Sequence, residues 1–128
     1  MNFKELDIWK KGLEIDMLVS KVTLSFPKRY VYSLCSQMER ASISISSNIS
    51  EGHSKKYTGE FIKHLYYAYG SCAELETQIT MASHREIIDP KIKNKLLKLL
   101  EDEQKMISSL INKLKKKMLS QKAVLCQN

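Results

Sequence analysis

The residues of this sequence that are best suited to chemistry are three histidines and three cysteines, and their spacing assembles no complete catalytic or metal site. Glu60 and His64 stand four residues apart, so on one helix face they could share a metal ion, but a surface salt bridge or hydrogen bond is the simpler role for this pair. The sequence contains no Glu-x-x-His pair of a di-iron bundle, no nucleophile elbow and no glycine-rich phosphate loop. We therefore expect no enzyme activity, no metal and no cofactor.

The cysteines and the apolar runs indicate the compartment. Cys35, Cys72 and Cys126 are odd in number and widely spaced, which favours reduced thiols over a disulfide framework or a zinc knuckle. Cys72 falls on the apolar seam of a predicted helix, which is typical of a small core residue. No run approaches the roughly 18 apolar residues of a membrane span, and charged residues stand among the first five. We expect a cytoplasmic protein that makes no membrane contact.

The basic charge is concentrated after residue 90. Residues 1–90 contain 11 Lys or Arg and 11 Asp or Glu, whereas residues 91–128 contain ten Lys and three acidic residues. On a helix, lysines near one meridian form a ridge about 38 Å long opposite the leucines, long enough to follow a phosphate backbone. We predict salt-sensitive, weakly sequence-specific binding of RNA or DNA, with a solvated face that only keeps the protein soluble as the alternative. The candidate nucleic-acid-binding residues are Lys91, Lys95, Lys98, Lys105, Lys113 and Lys116.

Three apolar or aromatic residues point away from the faces that should form the core. At about 100° per residue, Ile43 lies opposite the apolar face of its helix, and Tyr66 and Tyr67 lie well away from theirs. A group of such residues is typical of a subunit interface. We therefore predict a homo-oligomer with these three residues at the contact. Base stacking by the tyrosines is the alternative.

The elements that position these residues are four segments of helical length, separated by two prolines and a glycine. None shows the two-residue alternation of a strand. With 128 residues, of which 43% are hydrophobic, the chain fits one domain. We predict an all-α protein, an antiparallel, up-down-up-down four-helix bundle at residues 1–120, followed by a frayed tail at residues 121–128.

The ends of the predicted helices follow from capping signals. The second helix should run from Tyr30 or Tyr32 to Glu51, with Gly52 as a left-handed stop. Thr58 should cap the third helix, which reaches about His84, and the dipeptide at residues 89 and 90 should begin the fourth. The first helix, at about residues 3–25, should bury one wide face and a second stripe. The two sets are Leu6, Trp9, Leu13, Met17 and Leu24, and Ile8, Ile15 and Val22.

The serine-rich stretch at residues 41–51 of the second helix favours close packing between helix backbones, because its side chains are short. The alternative is a polar network with the third helix that fixes the register of the two helices. The members of that network would be Arg40, Asn48 and Glu51, with Glu74 or Glu76.

Several motifs, taken in order, resemble a known family. They are FKELDIWKKG (residues 3–12), SFP (25–27), LCSQMERASISISSNISEG (34–52), TGEF (58–61) and YGSCAELETQ (69–78). Together, over about residues 3–88, they resemble the bacterial four-helix-bundle proteins encoded in intervening sequences of large-subunit ribosomal RNA genes. The resemblance implies a four-helix bundle that assembles as a cyclic homo-oligomer, a pentamer, without known catalytic activity. A related branch comprises accessory proteins of diversity-generating retroelements, for which the family implies binding to nucleic acid and a reverse transcriptase.

The sequence departs from the family pattern at a few positions. Glu39 stands where members often carry a second basic residue, and Ser42 and Ser50 stand where they often carry alanine. The first departure weakens a role for the second helix in RNA contact, and the lysine-rich segment lies outside the matched region. The first hypothesis is therefore a non-enzymatic, oligomeric protein that binds RNA through the lysines of the fourth helix. The alternative is a protein-interaction adaptor, such as a retroelement accessory protein that binds a reverse transcriptase.

Overall fold

The computed structural model describes residues 2–127, and every long element in that range is a helix. The four helices are α1 (Asp7–Thr23), α2 (Ser36–His53), α3 (Thr58–His84) and α4 (Pro90–Gln127). Short 3-10 turns lie at Phe3–Glu5 and Lys28–Tyr30, and a π-helical turn at Val31–Cys35 leads into α2. The predicted all-α four-helix bundle is confirmed.

Each helix packs against its neighbours in sequence, and α1 packs against α4 to close the bundle. Side-chain hydrogen bonds between α1 and α2 join residues in opposite sequence order, as antiparallel neighbours require. Two serine hydroxyls donate from α2 and one threonine hydroxyl donates from α1. The pairs are Trp9–Ser46, Asp16–Ser42 and Thr23–Glu39.

The buried face of α1 is the stripe that the sequence ranked second. Leu13, Met17 and Leu24 are 41%, 58% and 86% exposed, so the prediction that they form the main core face was wrong. The buried line instead alternates steps of four and three residues, the spacing of a helix seam. Gly12 belongs to that line. Because a glycine carries no apolar side chain, the sequence pattern did not identify this line as the main buried face. The buried line is Ile8, Gly12, Ile15, Val19 and Val22.

Gly52 does not end α2 as a left-handed stop. It lies inside the helix, and within residues 2–127 no glycine has a positive φ. A Cβ at Gly52 would come within 2.5 Å of the His64 Cβ, so the glycine lets α3 approach α2 closely. The residue with left-handed geometry is Glu86, at φ 57°, in the turn before α4.

The predicted start of α4 is confirmed. The Asp89 side chain accepts a hydrogen bond of 2.8 Å from the backbone N–H of Lys91, which satisfies one donor of the first turn. The prediction that Thr58 caps α3 was wrong. Thr58 is the first residue of the helix, and Tyr57 occupies the N-cap position without a side-chain hydrogen bond. Residues 119–126 of α4 are helical and exposed. The division at residue 120, between the bundle and a frayed tail, stays a prediction.

Candidate nucleic-acid interface

The six lysines predicted to form a ridge lie on one helix and are all exposed. Because α4 is continuous over 38 residues, it holds their spacing rigidly, and Lys91 and Lys116 are separated by about 38 Å along its axis. Leu96, Leu100 and Ile107, on the opposite side, are buried in the core. We name these six residues the lysine ridge: Lys91, Lys95, Lys98, Lys105, Lys113 and Lys116.

Acidic side chains on α4 partly offset the middle of the lysine ridge. Lys98 pairs with Asp102 at 3.1 Å, and Lys105 pairs with Glu101 at 3.0 Å. The hydrogen bond from Lys105 lowers the pKa of Glu101, and the hydrogen bond to Asp102 raises the pKa of Lys98, so each shift favours the charged form of its group. The lysines at the two ends of the ridge form no ion pair with any residue between 2 and 127. The charge of the end lysines is therefore not offset by an ion pair within the described residues.

Hydroxyl and aromatic groups that the sequence analysis missed lie beside the lysine ridge. A shallow groove contains Ser109 between Lys105 and Lys113, one helical turn from each. A second groove contains Tyr69 of α3 with Ser108 and Ser109. Serine hydroxyls can donate to phosphate oxygens, and an exposed tyrosine ring can stack on a base. The four-residue spacing of 105, 109 and 113 was the signal that could have found Ser109.

Glu103 is a second feature that the sequence analysis missed, and it lies in the core rather than on the surface. Its side chain is completely buried, and neither carboxyl oxygen has a hydrogen-bond partner among the described residues. Burial raises its pKa to about 8, although the charge of Lys11 acts to lower it. The carboxyl group is therefore largely protonated at neutral pH.

Glu103 also affects the pKa of the neighbouring Cys72 thiol. Burial, with the nearby charges of Glu103 and Glu76, raises the pKa of the Cys72 thiol to about 12. A thiol that stays protonated is a poor nucleophile, so the interpretation of Cys72 as a core residue is confirmed. Cys35 is also buried, and Cys126 is exposed.

The predicted pairing of Glu60 with His64 is wrong. Glu60 forms an ion pair with Lys63 at 3.9 Å, while His64 turns inward and is 9% exposed. Its ring packs edge-on against Tyr67, and its Nδ1 has no partner within the described chain. Among residues 2–127, no three His, Cys, Asp or Glu side chains are grouped to hold a metal ion.

The serine-rich stretch of α2 packs closely against its neighbours and forms a small network of neutral groups. Asn48 donates to Ser44, and the Ser44 and Ser71 hydroxyls share a hydrogen bond of 2.7 Å between α2 and α3. Arg40 and Glu51 are exposed and take no part in it. Close packing was therefore the better interpretation, and the ionic network with Glu74 or Glu76 is not formed.

The three predicted interface residues are exposed as expected but do not share one face, since Ile43 lies on α2 and the two tyrosines occupy different sides of α3. Ile43, Tyr66 and Tyr67 are 57%, 48% and 51% exposed. The Tyr66 hydroxyl accepts a hydrogen bond from Lys115 of α4, whereas Tyr67 lies beside His64 on the side of α2. Their role in a subunit contact stays a prediction.

The family model described as 23S rRNA-intervening sequence protein matches residues 4–109. A search of curated proteins gives no match. A solved structure of a protein with unknown function, from the S23 ribosomal protein family of Bacteroides thetaiotaomicron, is 20% identical. It superposes with a TM-score of 0.76 over 82% of this chain and 95% of the other, which shows a shared fold.

The comparisons confirm the family resemblance and leave its finer implications open. They name no retroelement, so the relation to retroelement accessory proteins stays a prediction. No helix within residues 2–127 combines the length and the apolar composition needed to cross a membrane. The family match covers the first half of α4 and leaves residues 110–128 unmatched, so Lys113 and Lys116 lie beyond it. The chain belongs to the 23S rRNA-intervening sequence protein family.

Proposed function

We propose that this protein is a non-enzymatic RNA-binding protein of the bacterial cytoplasm, which contacts RNA through the lysine ridge of α4. One observation carries the proposal: all six ridge lysines are exposed on one side of a single continuous helix. Exposed lysines near a polyanion release the counterions condensed on it, and this release favours binding. The family's description refers to 23S rRNA, which is the RNA to test first.

The chemistry of the ridge favours weak sequence preference. Residues 91–128 contain no arginine, so α4 offers no planar guanidinium fork for reading a base edge. Lysines act as point charges on phosphates, whereas Tyr69 and Ser109 in the adjacent grooves could add one stacking and one hydroxyl contact. A structured RNA with closely spaced phosphates fits this surface best.

The experiment that tests the function is a filter-binding titration of a labelled 23S rRNA stem–loop at two salt concentrations. Raising the salt from about 50 mM to about 200 mM should weaken binding by about 10²-fold to 10³-fold if the ridge lysines contact phosphates. A matched DNA duplex should show a similar dependence. Affinity that does not change with salt would contradict phosphate contacts.

The proposal includes assembly into a homo-oligomer, a pentamer, with Ile43, Tyr66 and Tyr67 at the contact between subunits. Its support is that about half of each of these side chains is exposed although each is apolar or aromatic. A ring of subunits would repeat the lysine ridge around its circumference. Several weak ridge contacts to one RNA would then strengthen one another, because later contacts are intramolecular.

A further inference from the structure

The C-terminal part of α4 leaves the bundle and carries apolar side chains into solvent. We call residues 119–126 the α4 extension, and every residue in it is exposed. Leu119, Val124 and Leu125 are 66%, 57% and 74% exposed. A segment of two helical turns whose side chains are all exposed gains little from its own hydrogen bonds, so a partner that covers these side chains would stabilise it.

The apolar seam of α4 continues into the α4 extension. Ile107 and Ile111 are buried, and Leu114 and Met118 are half-buried against the core, at steps of four, three and four residues. The next two positions of the same repeat are residues 121 and 125. The repeat therefore reaches Leu125 after the bundle has ceased to cover it, which is how one helix presents a seam to another.

The charge around this seam has one sign. From residue 104 to residue 128 the sequence contains six lysines and no Asp or Glu. In the heptad repeat that places Leu125 on the seam, Lys117 and Lys122 occupy positions that flank it, where coiled-coil partners are selected by charge. A partner that packs on Leu125 must therefore bring its own carboxylates.

Three other occupants fit this segment less well. A second copy of the extension would place Lys117 and Lys122 against the same lysines, and this repulsion disfavours self-pairing. A lipid surface requires one apolar face, but at about 100° per residue Leu119 lies opposite Val124 and Leu125. RNA could use the lysines but would leave the two apolar side chains uncovered.

We infer that the α4 extension is a docking site for an acidic amphipathic helix of a partner protein. Its apolar residues cover Val124 and Leu125, which line a shallow concavity with Ser120 and Gln121. Its carboxylates meet Lys117 and Lys122. None of the six lysine-ridge residues is required, so RNA and this partner can bind the same chain through different surfaces.

The test uses labelled helical peptides as probes and fluorescence anisotropy as the readout. The first peptide repeats leucine at the seam positions and glutamate at the flanking positions. The second keeps the glutamates and replaces every leucine by serine, and the third keeps the leucines and replaces every glutamate by lysine. The full-length protein should bind the first peptide at least about tenfold more tightly than either of the others, because both features are needed.

Two variants distinguish binding at the docking surface from nonspecific hydrophobic binding. Val124→Ser with Leu125→Ser removes the apolar seam residue and its apolar neighbour, and Leu119→Ser is a matched control on the opposite side of the helix. All three residues are exposed, so both variants should keep the helical circular dichroism of the parent protein. The double variant should bind the first peptide about tenfold more weakly, whereas the control should bind it within about twofold of the parent.

Other outcomes would overturn the inference. If the serine-substituted acidic peptide bound as tightly as the first peptide, binding would depend on charge attraction alone. Concentration-dependent self-association that the double variant abolishes would assign the seam to a second copy. A lipid surface would be the occupant if the protein bound phosphatidylserine vesicles but not the first peptide, and if Leu119, Val124 and Leu125 contributed equally to that binding. Absence of any peptide binding would also reject the proposal.

Discussion

At the scale of single residues, Glu103 has the least favourable environment for a charge. Its carboxyl group is completely buried, and the charge of Lys11 acts to lower its pKa against the larger effect of burial. The neighbouring groups are the Cys72 thiol on α3 and Gly12 on α1. A buried carboxylate without hydrogen bonds is expensive, so the protein holds this group as a neutral acid.

Replacing Glu103 by glutamine should stabilise the protein increasingly as the pH rises from about 5 to about 8. The folded state keeps the Glu103 proton up to a pKa of about 8, whereas the unfolded chain releases it near 4.5. Between these values the folded state binds more protons, so the parent loses stability with rising pH and Glu103→Gln does not. Over this interval the difference in the free energy of unfolding should grow by up to about 4 kcal/mol, measured by urea unfolding. A difference that is constant with pH would contradict the buried, protonated carboxyl.

The sequence pattern places Glu103 on the buried side of α4, but its acidic side chain favoured an exposed position. Leu96, Leu100 and Ile107 are buried on the seam, and residue 103 falls on the same repeat of four and three. It stands in the run Glu101-Asp102-Glu103, which is typical of a solvated helix surface. The exposure of the ridge lysines was predicted correctly, because both their charge and their position on the helix favour the solvent side.

At the scale of elements, small residues decide how closely the helices approach. A Cβ at Gly12 would overlap the Ser46 hydroxyl and come within 3.3 Å of the Glu103 carboxyl. Ser46 donates to the Trp9 carbonyl from the same position, so α1 and α2 are joined where their backbones are closest. Apolar periodicity found the four helices, but it could not identify the buried side of α1, because Gly12 carries no hydropathic signal.

The glycines provide a matched pair for testing this packing. Gly12→Ala should lower the free energy of unfolding by about 1 to 3 kcal/mol, because the added methyl group is overpacked against Ser46. Gly70→Ala, in the interior of α3 with nothing within 4 Å of its Cβ position, should raise it by about 0.5 to 1 kcal/mol through helix propensity. Urea unfolding of both variants checks the pair. Equal effects of the two substitutions would show that α1 and α2 do not approach closely at Gly12.

At the scale of the whole molecule, the proposed assembly depends on the exposed residues of α2 and α3. The combined change Ile43→Glu, Tyr66→Glu and Tyr67→Glu should convert the oligomer into a folded monomer, because it places like charges in the subunit contact. The measurement is sedimentation velocity together with circular dichroism. The control is Tyr32→Glu with Tyr57→Glu, since these tyrosines are 97% and 66% exposed and lie outside the proposed contact.

An unchanged sedimentation profile for the triple variant would place the subunit contact elsewhere. The sequence could predict that these side chains are exposed, because helical periodicity separates inner from outer positions. It could not predict which exposed residues touch another subunit, since that depends on a surface of the partner. The structure of one chain adds that Tyr66 contacts Lys115, so part of its surface already packs against α4.

RNA binding by the lysine ridge is tested most directly by the salt dependence of two matched variants. One variant changes Lys91, Lys95 and Lys113 to glutamine, and the other changes the exposed Lys4, Lys28 and Lys55. Both lose the same net charge. The ridge variant should bind the 23S rRNA stem–loop more weakly, with a slope of log affinity against log salt that is shallower by about 2 to 3, while the second variant keeps the parent slope. Equal slopes for the two variants would contradict a role for the ridge and indicate only general charge attraction.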